Sequence, residues 1–443
     1  MRVFLKKARA RTPFSILDPV RVEPLELAYL KAAAEETGAE VYIIDDLFGL
    51  REPGVIPDVL VITGYNTAES KILEEAEVYR RRFPNVRIIV GGTHAERNSR
   101  DFHSPNVDFV VHSSDLQVFM DILRLVDGRL EELEPSGFDM QRAGEWIIGS
   151  SRLVIRMPLI KPDRSLTKAL IEKTRYLDKR RVALVKGRTG CPYKCDFCYC
   201  RLLNDGKHIA GDYGDILDEA LELDAEFVWV VDDVFLASRK DALDFINAAE
   251  KWSKRVNLIA YLRADFILKN RDLLEKLREC GLGEVIVGFE ATSNSELDGY
   301  NKQTDALDYP EAIRILREAE IDLTALFMVS PEYRISDFRR LARFLRENRI
   351  GTYTVSILTP IKGTDGYEEM KGKLLTDNPE RFDFLHLVTR PHLPAPMFYL
   401  MFLWLHLGLL RSKRIRSFIR QCITWKKISR QSDRQETNEG KEY

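Results

Sequence analysis

Cysteine is scarce in this chain: six in 443 residues, and none before Cys191. So few thiols, three of them clustered, do not make a disulfide framework, and a reducing compartment is expected. An excess of charge of one sign is also missing. Lys and Arg number 67 against 69 Asp and Glu, so nothing global marks a nucleic-acid partner. No apolar run reaches the ~20 residues needed to span a bilayer. The opening Met1-Arg-Val-Phe-Leu-Lys-Lys lacks the apolar core of a signal peptide. These absences lead us to expect a cytoplasmic protein. There is no low-complexity segment. The hydrophobic content of 45% suits a globular protein with a real core, and the length suits two or three domains.

Residues 1 to about 130 alternate short apolar strands with helices. Strands are predicted at Arg2-Val-Phe-Leu, Val41 to Ile44, Val59 to Ile62, Arg87 to Val90 and Phe109 to Val111. Helices are predicted at Pro24 to Thr37 and about Ala68 to Arg82. Such alternation gives a doubly wound parallel sheet, whose ligands bind beyond the carboxyl ends of the strands. Here those ends are the turns at Gly64 and at Gly91-Gly92. Residues 131–178 read as a join, with a turn-rich Glu131 to Gly137 and a short helix over Leu166 to Tyr176. From Arg181 a second series begins. Strands at 182–185, 227–231, 257–260, 285–288, 323–329 and 354–358 suit six βα units of a partial barrel.

The strongest chemistry lies just past the first of these strands, in Cys191-Pro-Tyr-Lys-Cys195-Asp-Phe-Cys198. Thiolates suit iron–sulfur clusters or zinc. Three on one loop can hold three irons of a [4Fe–4S] cube and leave the fourth open. Cys200 adds a thiol, so a zinc knob is the rival. Against zinc stands the lack of a second Cys or His pair at finger spacing; Cys200 reads as a non-ligand.

This Cys-x3-Cys-x2-Cys spacing, with Phe197 before the last cysteine, resembles the radical S-adenosylmethionine (SAM) enzymes. The resemblance implies that Cys191, Cys195 and Cys198 carry the cluster and that SAM binds the open iron. It implies a low-potential electron donor of flavodoxin or ferredoxin type. Later strand ends add to the likeness: Asp232-Asp233, Arg263, Glu290 with Asn301-Lys302, and Thr359. By resemblance, Asp232 or Asp233 meets the amino group of SAM, Glu290 lies near it, and Thr359 stands near the adenine. Arg263 suits a carboxylate. No catalytic acid, base or nucleophile declares itself.

The N-terminal half resembles the cobalamin-binding domain that precedes the barrel in one class of these enzymes. Glu23-Pro-Leu-Glu-Leu-Ala-Tyr-Leu30, Gly38 to Asp45 and Val90-Gly-Gly-Thr-His94 carry the likeness. The Asp-x-His-x-x-Gly motif that supplies a cobalt ligand is missing, so cobalt without that histidine is implied. His112-Ser-Ser-Asp115 stands where Gly-Glu-Gly-Glu is usual. His94 reads as a turn or surface histidine. The implied organisation is a Rossmann-like domain over 1–130, the join, a barrel over 179–365 and a C-terminal helical segment over 366–443.

The closing segment narrows the likeness. Leu374 to His386 and Leu393-Pro-Ala-Pro-Met-Phe-Tyr399, with Val231-Asp-Asp-Val and Val287-Gly-Phe-Glu-Ala291, resemble the hopanoid C-3 methylase branch. This implies methylation of an unactivated carbon in a lipid-like substrate. A radical cyclase or carbon–carbon coupling enzyme needs the same first step and stays open. So does a cobalamin- or lipid-binding sensor with a structural cluster. Met397 to Leu410 is apolar almost all round, about 21 Å long as a helix. Residues 411–430 then hold eight Lys or Arg and no Asp or Glu. Such a tail is expected to lie on the inner face of a membrane.

Overall fold

The computed structural model describes residues 1–10, 19–252 and 254–421. Seven strands build the first sheet: β1 (Arg2–Lys7), β2 (Glu40–Ile44), β3 (Val59–Thr63), β4 (Arg87–Gly91), β5 (Phe109–Val111), β6 (Phe138–Arg142) and β7 (Glu145–Ile147). Their spatial order is β2-β1-β3-β4-β5-β6-β7. The first five run parallel, as the strand and helix alternation predicts. The sequence reading missed β6 and β7. They lie in the stretch read as a join and extend the sheet by an antiparallel hairpin.

Side chains alternate across this sheet. Val3, Leu5, Val59, Val61 and Ile89 pack against the helices Leu25–Glu36 and Leu116–Val126. Phe4, Leu60, Ile62, Ile88 and Val90 pack on the other face, where the helix Glu69–Arg82 lies. Both faces are buried, which is why these strands are apolar throughout.

The second sheet has six parallel strands in sequence order: β8 (Val182–Val185), β9 (Phe227–Val230), β10 (Leu258–Leu262), β11 (Leu282–Glu290), β12 (Asp322–Val329) and β13 (Tyr353–Ile357). All six lie where the spacing places them. Ala183, Val185, Val228, Val230, Ala260 and Phe327 point outward to the surrounding helices. Their alternates, among them Leu184, Trp229, Ile259 and Ile286, point inward.

The inner face is closed in part by the first module. Leu25 and Ala28 of the helix Leu25–Glu36 join the inward cluster, while Leu27, Ala33 and Ala34 of the same helix join the first sheet. The free edge of β8 is also capped. Glu23 accepts from the Leu184 amide at 2.9 Å, and Arg164 donates to the Leu184 carbonyl at 2.8 Å. Side chains thus take the place of a seventh strand.

After β13 the chain runs to the helix Ala395–Leu407. Phe398, Phe402 and Leu405 of this helix are buried against the barrel, with the Phe398 ring edge-on to Phe338 at 5.3 Å. Position 408 is glycine because the Tyr353 hydroxyl, which donates to the Leu405 carbonyl at 2.7 Å, occupies the place of a Cβ there. A last helix covers residues 413–421. No helix among the described residues is long and apolar enough to cross a membrane.

Candidate active site

The cysteine loop leaves the carboxyl end of β8 through Gly187, whose absent Cβ makes room for Ile216. Asp232, just past β9, is fully buried and holds this exit. One carboxylate oxygen accepts from the amides of Gly187 at 2.8 Å and Arg188 at 2.9 Å; the other has no partner. Burial pushes its carboxyl up to about 7, against the pull of those two amides. Asp233 faces the other way, close enough to Cys191 and Cys198 to work against their ionisation. Of the carboxylate pair, Asp233 is therefore the one on the thiol side.

The far side of the loop is held from β10 and β11. Arg263 donates to the Lys302 carbonyl at 2.9 Å and to Asp265 at 2.8 Å. Its guanidinium stacks 3.9 Å from the Tyr193 ring and comes 4.0 Å from the Cys195 sulfur. It is thus committed to the loop and to its own helix. Asn301 donates to the Lys194 carbonyl at 3.0 Å. Phe197 packs edge-on to Tyr300 at 5.8 Å. Glu290 sits at a positive φ of 64° and pairs with Lys302 at 2.8 Å, both nearly buried. A Cβ on Gly288 would collide with that Glu290 carboxylate. The Lys302 pair and the bare Gly288 together hold Glu290 in this left-handed conformation. Thr359 spends its hydroxyl on the Ile357 carbonyl at 3.0 Å and is buried.

Burial pushes the Cys191 thiol up to about 11 and raises Cys195 as well. Cys198 is lowered to about 7 because Cys200 donates to it. A single zinc held by thiolates at ~2.3 Å needs its sulfurs about 4 Å apart. Among the described residues, the only three or more ligand atoms mutually within 4.8 Å belong to Glu69, His94 and Asp101. No three of the loop cysteines form such a set.

His94, read from the sequence as a turn or surface histidine, does follow the Gly91-Gly92 turn but is buried. Burial lowers its pKa, and the carboxylates of Asp101 and Glu69, at 3.2 and 3.1 Å, outweigh this and raise it. Asp101 also pairs with Lys362 of the second module. The two carboxylates thus favour a protonated ring at this position. Its Nε2 meets both carboxylates and its Nδ1 lies 3.4 Å from the Asn98 side-chain amide, so both ring nitrogens are already engaged.

The glycine turns and the cysteine loop face each other. Tyr199, one residue past Cys198, donates to the Thr93 carbonyl, one residue past Gly92, at 2.8 Å. Glu96 accepts from the Asn204 amide at 2.5 Å, and Asn66 donates to the Phe382 carbonyl at 3.2 Å. The turn glycines themselves serve backbone packing. A Cβ on Gly64 would lie 3.1 Å from the Ala8 carbonyl, and one on Gly92 would lie 2.8 Å from the Thr63 hydroxyl; Gly91 is looser. Beside them Tyr65 stays 60% exposed, with Lys7 over its ring. Tyr261 on the barrel's inner face senses both Tyr65 and Cys200. The exposed Tyr65 ring and the side-chain-free turns at Gly64, Gly91 and Gly92 fit a flat cofactor lying at the carboxyl end of the first sheet.

A doubly wound sheet is set against an open parallel barrel, with three thiols just past the barrel's first strand. Residues 186–345 match the radical SAM superfamily profile, and the chain carries a radical SAM domain. That domain implies a [4Fe–4S] cluster and SAM. The anaerobic magnesium-protoporphyrin IX monomethyl ester cyclase of Cereibacter sphaeroides is 24% identical over 83% of this chain and 63% of its own length. The hopanoid C-3 methylase of Methylococcus capsulatus is 22% identical over 49% of this chain and 42% of its own. The chain thus spans less than two thirds of either relative. Among solved structures, the cobalamin-dependent SAM radical enzyme OxsB, with aqua-cobalamin and SAM bound, superposes with a TM-score of 0.67. It is 15% identical and covers 88% of this chain and 64% of OxsB. The methyltransferase TsrM of Kitasatospora setae, with cobalamin and a [4Fe–4S] cluster bound, gives 0.65 at 14% identity, covering 88% and 82%. These likenesses show a shared fold.

Proposed function

We propose that this protein cleaves SAM reductively at a [4Fe–4S] cluster on Cys191, Cys195 and Cys198 and methylates an unactivated carbon of a hopanoid- or isoprenoid-like lipid. When bound, the cluster supplies the electron and cobalamin supplies the methyl group. Arg263, Asn301 and Asp232 hold the thiol loop in place. Asp233, Glu290 and Phe197 border it on the SAM side, and the Gly64 and Gly91-Gly92 turns border the corrinoid. Trp229 and Tyr261 offer an apolar wall to the substrate carbon. The observation that carries the reading is the Tyr199 to Thr93 contact, which sets the glycine turns one residue away from the thiol loop.

A second reading, radical cyclisation, is favoured by the cyclase relative, which aligns with 83% of the chain where the methylase aligns with 49%. Product mass separates the two. Anaerobically reconstituted protein should form 5′-deoxyadenosine from SAM, and each of C191A, C195A and C198A should abolish this while C200A keeps it. Lipid from cells expressing the protein should then gain one methylene unit. Loss of hydrogen instead would establish the cyclase. Purified protein carrying stoichiometric zinc and no iron would end both readings.

A further inference from the structure

The helix Ala395–Leu407 presents two unlike faces. Phe398, Phe402 and Leu405 are buried on the barrel. On the opposite side Leu400 is 60% exposed, Leu403 57% and Leu407 53%, with Met397, Trp404 and Leu410 beside them. Large apolar side chains contiguous on one helix mark a binding surface. At the carboxyl end of the helix lies a groove of about 540 Å³, into which Trp404 and Leu407 project from one wall. Arg346, Arg349 and Arg411 line it, all three exposed. No described carboxylate pairs with any of them, and no Asp or Glu lines the groove. Unpaired guanidinium groups in a fixed cluster suit phosphate oxygens, and Trp beside them suits the headgroup level of a bilayer.

We propose that this face and groove dock the protein on an anionic phospholipid bilayer, the leucines entering the acyl boundary and the three arginines holding headgroup phosphates. Charge complementarity selects the occupant. A second protein copy would bring its own arginines against these, whereas a bilayer brings phosphates. A helix of 13 residues cannot span the hydrocarbon and lies in the interface instead. The site differs from the basic tail that the sequence pointed to. Arg346 and Arg349 come from the barrel, and Arg414 of the tail is turned inward. The surface does not depend on the reaction proposed above, and its test needs no turnover.

Flotation of the reconstituted holoprotein with vesicles is the experiment. Phosphatidylcholine vesicles containing phosphatidylglycerol should carry the protein, and phosphatidylcholine alone should carry far less. R346Q/R349Q/R411Q should weaken binding about 100-fold, at roughly a factor of five per arginine. L400E/L403E should abolish it, and iron content reports whether each variant is folded. Should L400E/L403E fail to fold, the arginine variant alone decides. Equal binding to both vesicle types, or wild-type binding by the arginine variant, would overturn the proposal. So would a wild-type dimer that L400E/L403E converts to monomer, which would assign the face to a second copy. Binding that appears only after removal of residues 422–443 would overturn it too, by assigning the face to that segment.

Discussion

At Asp232 a fully buried carboxyl accepts two backbone amides with one oxygen and nothing with the other. Burial pushes it up to about 7. The folded protein therefore holds a proton that the unfolded chain has lost, in the window from the ordinary ~4 up to about 7. Stability from this group is present at low pH and is lost as pH rises through that window. Asn keeps the accepting oxygen and cannot ionise. The stability of D232N relative to wild type should thus grow by about 1 kcal/mol between about pH 6 and pH 8, read from denaturant unfolding. Parallel curves would show that Asp232 titrates normally. The sequence placed two carboxylates at this strand end but not their division of labour. Alternation gives direction only inside a strand, and β9 stops at Val230, before the pair. Arg263 shows a related limit. Its place after β10 was legible, but its engagement with Cys195 and the Lys302 carbonyl depends on a loop 39 residues further on.

The helix of residues 413–421 crosses the amino end of the barrel. Arg414 donates to both oxygens of Glu284, at 2.9 and 3.1 Å, and to Asp178 at 3.0 Å. Glu284 is 1% exposed, and Phe418 is buried under the same helix. The expectation of a basic tail spread on a membrane is thus corrected at Arg414. Trp425, Lys426, Lys427 and Arg430 lie outside the described residues. Charge pattern alone does not distinguish the two fates, because the partner carboxylates sit more than 100 residues away in sequence. R414L should cost about 2 kcal/mol, because Glu284 loses its bidentate partner and keeps Lys179 at 3.3 Å and the Thr324 hydroxyl at 2.7 Å. E284Q/R414L should recover part of that loss, and simple addition of the two single effects would deny the pairing. Elements with strong periodicity were legible throughout. The hairpin β6–β7 was not, since the alternation of Phe138 and Met140 with Asp139 and Gln141 is too short to stand out from the turn-rich stretch around it. Asp139 is buried there by His103 and His112, which only the folded sheet brings together.

The whole molecule sets two sheets with their carboxyl ends towards one space. Incubation with hydroxocobalamin and gel filtration should leave a corrinoid on the protein. Its visible spectrum should be unchanged in H94Q, because His94 is held by Glu69 and Asp101. A shifted spectrum in H94Q would make His94 a cobalt ligand. No retained corrinoid would reduce the first sheet to a scaffold. That scaffold would still be indispensable, for the helix Leu25–Glu36 belongs to both cores at once. Leu25 and Ala28 are part of the barrel's lining, and Glu23 seals its first edge. Cutting the chain between the modules would open the reaction chamber like a shell without its second valve. A descendant that discarded the first sheet would have to rebuild the lining and the sealed edge of the second.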